Sequence, residues 1–70
     1  MRTIAIGNQI KALRTERRLT QEQLATVLGV TPQAVSRWEK ARSYPDLELL
    51  PVIAAYFSVS TDFLLGLRDP

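Results

Sequence analysis

The stretch "VTPQAVSRWEK", residues 30–40, sets Gln33, Ser36, Arg37 and Lys40 at offsets of three, four and seven. On an α-helix those offsets fall on one face. The row combines an amide that both donates and accepts, a hydroxyl, a planar guanidinium fork and a compact ammonium. None of these breaks bonds unaided. Together they hydrogen-bond and neutralise charge, which is the chemistry of recognition. Val35 and Trp38 fall on the opposite side and ask for burial, so the polar row is held outward on a short, anchored rod.

The rest of the inventory excludes most other chemistry. The chain has neither cysteine nor histidine. The usual general bases, nucleophile partners and transition-metal ligands are therefore missing, and scattered carboxylates and hydroxyls are all that remains. "TERR" and "DLE" supply acids but no convergent pair, and no glycine loop cradles a phosphate. No enzyme, cofactor, metal site or small-molecule ligand is expected. No disulfide can form, so packing alone must hold the fold. The opening "MRTIAIGNQIKALR" is too interrupted for a signal peptide, and no stretch approaches the roughly 20 apolar residues of a membrane span. A cytoplasmic protein with no membrane partner is expected.

Seventy residues, 46 % of them hydrophobic, allow a single domain over 1–70 with its core between about 6 and 66. A chain of this size hides only about 60 % of the surface its unfolded form exposes, so the core must be compact and mostly aliphatic. The net charge is +2 but unevenly spread. Residues 1–42 hold eight Lys or Arg against three acids, and residues 43–70 hold one against four. A basic half suits a polyanion, although a solvated helix surface has the same composition.

Five helical segments can be marked that position the polar row. The first runs from about Ile4 to Arg17, with Ile6, Ile10 and Leu13 on one side and Thr3 as a cap. The second opens on "TQEQ", a capping box between Thr20 and Gln23, and runs from Gln21 to about Leu28 before Gly29 stops it. The third follows "GVT", with Thr31 as cap and Pro32 in the first helical position, where its missing amide hydrogen is harmless. So short a link makes the second and third helices pack at a steep angle. After the loop "ARSYP", Asp46 caps a fourth helix ending near Phe57, with Leu47, Leu50, Ile53, Ala54 and Phe57 inward. Pro51 predicts a kink or a tight first turn in that helix. Ser60 caps a fifth, Thr61 to Leu65, closed by Gly66.

A helix of about eight residues, a three-residue turn with glycine and a second helix with an outward polar row together form a helix-turn-helix over 21–40. From "IGNQIKALR" through "LTQEQLATVLGVTPQAVSRWEKARSYPDLELLPVIAAYFSVSTDFLLG" the chain resembles the Cro and phage-repressor (XRE-like) class of DNA-binding domains. Leu24, Leu28, Val35 and Trp38 knit the two helices, Ala25 is small where they cross and Val30 plugs the turn. The resemblance implies an all-α, five-helix lambda-repressor-like fold. It also implies that the third segment lies in the major groove of double-stranded DNA while the second spans the backbone above it. Dimensions agree, since a helix about 10–12 Å across enters a groove about 12 Å wide and not one of about 6 Å.

In that pose Gln33 can meet adenine and Arg37 the two acceptors of guanine, with a phosphate clamp as the alternative for Arg37. Ser36 meets a base or a phosphate or is simply solvated. Pro32 and Ala34 can touch thymine methyls, or serve only helix initiation and packing. Thr20 and Gln21 stand at a helix amino end, which favours a phosphate, and Lys40, Arg42, Ser43 and Tyr44 suit phosphates on the flanking strand. Glu39 turns partly inward and needs a partner. Arg14 points near the same seam, which predicts an Arg14–Glu39 ion pair, the alternative being a local pair with Arg42. Arg17 and Arg18 either steer DNA or sit idle in solvent.

Two positions depart from the pattern. Ala41 stands where the class often has glycine after "WEK", so the third helix ends differently or runs further. Ser58 stands where glycine commonly ends the fourth, and a left-handed residue there costs about 1 kcal/mol. The reading is a transcriptional regulator, a repressor first of all, acting as a homodimer on an inverted-repeat operator with half-sites about 34 Å apart. Phe63, Leu64 and Leu67 are candidates for the dimer surface, with one of them needed to close the core. The rival reading is an antitoxin or adaptor whose main partner is another protein.

Overall fold

A computed structural model describes residues 5–67, and among these all regular structure is helical. The elements are α1 (Ile6–Glu16), α2 (Gln21–Leu28), α3 (Pro32–Glu39), a single 3₁₀ turn (Leu47–Leu49), α4 (Leu50–Phe57) and α5 (Thr61–Leu64). Three of the helices, α2, α3 and α5, open on a side-chain cap. The Thr20 hydroxyl accepts from the Gln23 amide at 3.0 Å while the Gln23 side chain accepts from the Thr20 amide at 2.8 Å, completing the capping box. Thr31 accepts from the Ala34 amide at 3.1 Å and Ser60 from the Phe63 amide at 3.0 Å.

Three local readings need correction. Thr3 and Ile4 lie outside the described residues, and α1 starts at Ile6 on Ala5, which supplies no side-chain cap. Asp46 makes no capping bond either. Instead of one long fourth helix, Leu47–Leu49 form the 3₁₀ turn, which leaves Leu47 81 % exposed rather than on the inward stripe, and α4 proper begins at Leu50. Pro51 therefore sits in the first turn of α4, where no backbone bond is lost, and the tight turn ahead of it replaces a kink.

All five helices close in the same way: an amide beyond the helix reaches back to a carbonyl five residues earlier. These bonds are Leu19 to Arg14, Val30 to Ala25, Arg42 to Arg37, Val59 to Ala54 and Leu67 to Asp62, at 2.9–3.0 Å. The geometry demands a left-handed residue just before each of these amides. Gly29 (φ +71°) adopts it freely, whereas Arg18, Ala41 and Ser58 adopt it with side chains at φ 57–59°. α3 accordingly ends where glycine would have ended it, and Ala41 neither extends nor redirects it.

One core serves these elements. Ile6 and Ile10 from α1, Leu24, Ala25 and Leu28 from α2, Val35 and Trp38 from α3, Ile53, Ala54 and Phe57 from α4, and Leu64 from α5 are buried together. Leu13, Leu19, Val30, Leu50 and Val59 pack against them half-buried. The tightest point is where α1 crosses the carboxyl end of α3. A Cβ on Gly7 would overlap the Trp38 carbonyl oxygen and come within 3.1 Å of its carbon, so only glycine permits this approach.

Candidate nucleic-acid interface

α3 is presented by what lies beneath it. Val35 and Trp38 are buried, which fixes the rotation of the helix about its own axis and turns Gln33, Arg37 and Lys40 into solvent with Ser36 half-buried beside them. Gln33, Ser36, Arg37, Lys40 and Arg42 line one shallow, open depression. Three cations and no acid border it, so it favours an anionic surface. Arg42 arrives by way of the helix end. After α1, α2 and α4 the residue following the left-handed position is Leu19, Val30 or Val59, each half-buried against the core. After α3 it is Arg42, exposed and turned to the depression.

The other sequence candidates fall elsewhere. Pro32 is half-buried at the start of α3, and Ala34 is half-buried against the core, leaving each only a partial outward surface. Thr20 is exposed at the amino end of α2. Ser43 is half-buried and Tyr44 exposed in the loop after α3, and neither lines the depression.

A polar lock joins three helices behind this face. Arg14 Nε donates to Glu39 Oε2 at 2.7 Å and Arg14 Nη2 to Glu39 Oε1 at 3.0 Å, a two-point contact between α1 and the end of α3. Arg14 Nη1 also donates to the Leu19 carbonyl at 2.7 Å. Gln21 Nε2 gives Glu39 Oε1 a further bond at 3.0 Å, so the side chain assigned to a phosphate from sequence is in part occupied with the lock. The pair is well shielded, with side-chain exposures of 12 % and 4 %. Burial pushes the Glu39 carboxyl up, but the hydrogen bonds from Arg14 and Gln21 outweigh it and hold the group below its ordinary value. The Glu39 hydrogen bond raises Arg14 against the opposing effect of burial. Among the described residues Glu39 pairs with Arg14 and not with Arg42.

Arg17 is neither idle nor aimed at the depression. Its Nη1 donates to the Tyr56 carbonyl at 2.8 Å, and its guanidinium lies 5.5 Å and 5.1 Å from the Tyr56 and Phe57 ring centres. It ties the end of α1 to the end of α4. The carboxyl-terminal candidates divide. Leu64 is fully buried and closes the core, which removes it as a dimer contact. Phe63 is half-buried, its carbonyl accepting from Gln9 Nε2 at 3.2 Å, and Leu67 is exposed.

A short helix and a polar-faced helix joined by a glycine turn, inside a five-helix core, define a helix-turn-helix domain. The helix-turn-helix family model matches residues 10–64, and the chain belongs to that family, as its resemblance to Cro and phage-repressor domains implies. The transcriptional activator BcrR of Enterococcus faecalis is 47 % identical over 60 residues, covering 86 % of this chain and 29 % of BcrR. The antitoxin PezA of Streptococcus pneumoniae is 36 % identical over 61 residues, covering 87 % of this chain and 39 % of PezA. The chain thus spans between about three tenths and two fifths of these two relatives. The crystal structure of the P22 c2 repressor in complex with a synthetic operator superposes with a TM-score of 0.83 at 28 % identity, covering 97 % of this chain and 100 % of that one.

Proposed function

We propose that this chain binds double-stranded DNA selectively as a transcriptional regulator, most simply a repressor, with α3 in the major groove. One observation carries the reading: Gln33, Arg37, Lys40 and Arg42 share one solvent-facing depression on a helix whose rotation is fixed by Trp38 and whose end is locked by Arg14–Glu39. In this pose Gln33 and Arg37 read base edges, Ser36 assists, and Pro32 and the outward part of Ala34 meet thymine methyls. Lys40 and Arg42 at the far end of α3, with Ser43 and Tyr44 beyond, hold the flanking phosphates, and the Thr20 hydroxyl hydrogen with the backbone amide of Gln21 holds another. The lock uses the Gln21 side chain and not its backbone amide, so Gln21 serves both roles. The likeness to a repressor solved on its operator supports this pose.

The chain acts in this reading as a binding module and not an enzyme, in the cytoplasm, as a homodimer on an inverted repeat with half-sites about 34 Å apart. Among the described residues no helix is long and apolar enough to cross a membrane. Selection of bound duplexes from a random pool at two salt concentrations tests it. Recovery of a common sequence motif, with affinity falling by about 0.9 in logarithmic slope per phosphate contacted, is the expected result. The kinship with PezA makes the antitoxin or adaptor reading the alternative. A stoichiometric copurifying protein together with no DNA retardation at low salt would replace the first reading with the second.

A further inference from the structure

The two ends of α3 are held by different helices. At its start the Val30 amide donates to the Ala25 carbonyl at 3.0 Å and Thr31 accepts from the Ala34 amide, so a link of three residues registers this end on α2. Its far end rests on α1. There buried Gly7 faces the Trp38 carbonyl, backbone against backbone, and a Cβ on Gly7 would also stand 3.4 Å from Glu39 Cα.

That carbonyl belongs to the closure of α3. It accepts the Ala41 amide at 3.0 Å, ahead of the left-handed turn at Ala41. The next amide, that of Arg42, returns to the Arg37 carbonyl at 2.9 Å. The closure thus joins the backbones of the two arginines that line the depression, and Gly7 abuts it from the α1 side.

Of the two helices that meet here, α1 is the firmer. Ile6 and Ile10, on either side of Gly7 in the sequence, are 1 % and 0 % exposed, and Gln9 Nε2 is bonded to the Phe63 carbonyl of α5. The end of α3 leads instead into exposed Lys40, Ala41 and Arg42. A methyl group at residue 7 therefore displaces the end of α3. Over the roughly 12 Å of an eight-residue helix, a displacement of about 1 Å at one end tilts it by about 5° about the other. Recognition geometry must be held within about 0.5 Å, so a tilt of this size is felt.

We infer that Gly7, itself buried and out of reach of DNA, is a positioning residue whose bare Cα sets the tilt of α3 and so where Arg37 and Arg42 meet the duplex. In this role, which rests on the DNA-reading pose proposed above, Gly7 governs the base pair read by Arg37 and spares the one read by Gln33, because displacement grows with distance from the pivot.

The full chain carrying Gly7→Ala is compared with the native chain and with Ile10→Val, which loosens the same helix without adding bulk against α3. Duplexes are selected by each well below its melting midpoint. Gly7→Ala is expected to bind the native chain's selected duplex about tenfold more weakly, the loss of one base contact, and random DNA within about twofold of native. Its motif should lose preference at the position that Arg37→Ala relaxes and keep it at the position that Gln33→Ala relaxes, while Ile10→Val keeps both. If Gly7→Ala does not fold alone, it is made in the Ser58→Gly background, where glycine meets the left-handed turn. Failure to fold there as well means that the end of α3 cannot yield, and overturns the inference. So does a motif unchanged by Gly7→Ala, one weakened evenly at both positions, or an equal loss in Ile10→Val. Each of these leaves the DNA reading standing, whereas a native chain that selects no motif overturns that reading and this role with it.

Discussion

α3 and α4 are each eight residues long, each carries a proline in its first turn, and each closes through a left-handed residue with a side chain, Ala41 or Ser58. Their inward rows are also comparable, Val35 and Trp38 in one and Ile53, Ala54 and Phe57 in the other. What separates them is the row that faces out. α3 presents Gln33, Ser36, Arg37 and Lys40, whereas α4 presents Pro51, Val52 and Ala55. The residue after each helix end follows suit, since Arg42 turns to solvent and Val59 turns in. Burial of one stripe fixes a helix in place, and the opposite stripe is then free to choose its partner. Water and polyanions suit the first helix and an apolar surface the second.

The largest effects should come from the stripe the two helices share. Trp38→Ala is expected to cost about 3–5 kcal/mol, lowering the thermal midpoint by about 15 °C or more, while Val52→Ala on the outer face of α4 should cost under about 1 kcal/mol. Equal losses would mean that α4 is covered in the isolated chain. Next comes the lock behind α3. Arg14→Met strands the shielded Glu39 carboxylate and should cost about 3 kcal/mol in urea unfolding, most of it recovered when Glu39→Leu is added.

The same lock sets a pH dependence. The folded-state value of Glu39 lies below its ordinary 4.5, so the stabilisation is present above that pH and is lost as pH falls through the folded value. Thermal melts taken downward from about pH 5 should show that loss in the native chain and a flatter curve in Glu39→Gln.

Changes to the outward row of α3 should leave melting untouched. Arg37→Ala is expected to lose about 1–3 kcal/mol on the selected duplex and little on random DNA, whereas Lys40→Ala should weaken every duplex alike and reduce the salt slope by about 0.9. Identical profiles for the two would exchange or merge their roles. The smallest effect is a gain: Ala41→Gly and Ser58→Gly should each stabilise by about 1 kcal/mol, because glycine meets the left-handed geometry without a Cβ. If Ala41→Gly stabilises while Ser58→Gly does not, the two helix ends are not equivalent after all.

The face of α3 was legible because it depends on spacing alone: offsets of three, four and seven with Val35 and Trp38 opposite leave little choice of orientation. The meeting of Arg14 with Glu39 was legible for a related reason, since an inward-leaning carboxylate must find a cation. Gln21 as the third member was not, because nothing near Gln21 in sequence marks it as lying beside Glu39. Arg17 was equally opaque. Its partners, the Tyr56 carbonyl and two aromatic rings, lie some forty positions away and belong to another helix end. Leu64 was misassigned in part because three apolar residues at a chain end look alike until packing selects one.

Sequence alone determined the caps of α2, α3 and α5, the closing glycine after α2 and the outward polar row, since each depends on groups within a few residues of one another. Tertiary structure alone decided that Gly7 must have no side chain, that Leu64 belongs inside and that α4 has an apolar face left over. Those outcomes depend on how closely distant helices approach, and that distance is set by the whole core at once.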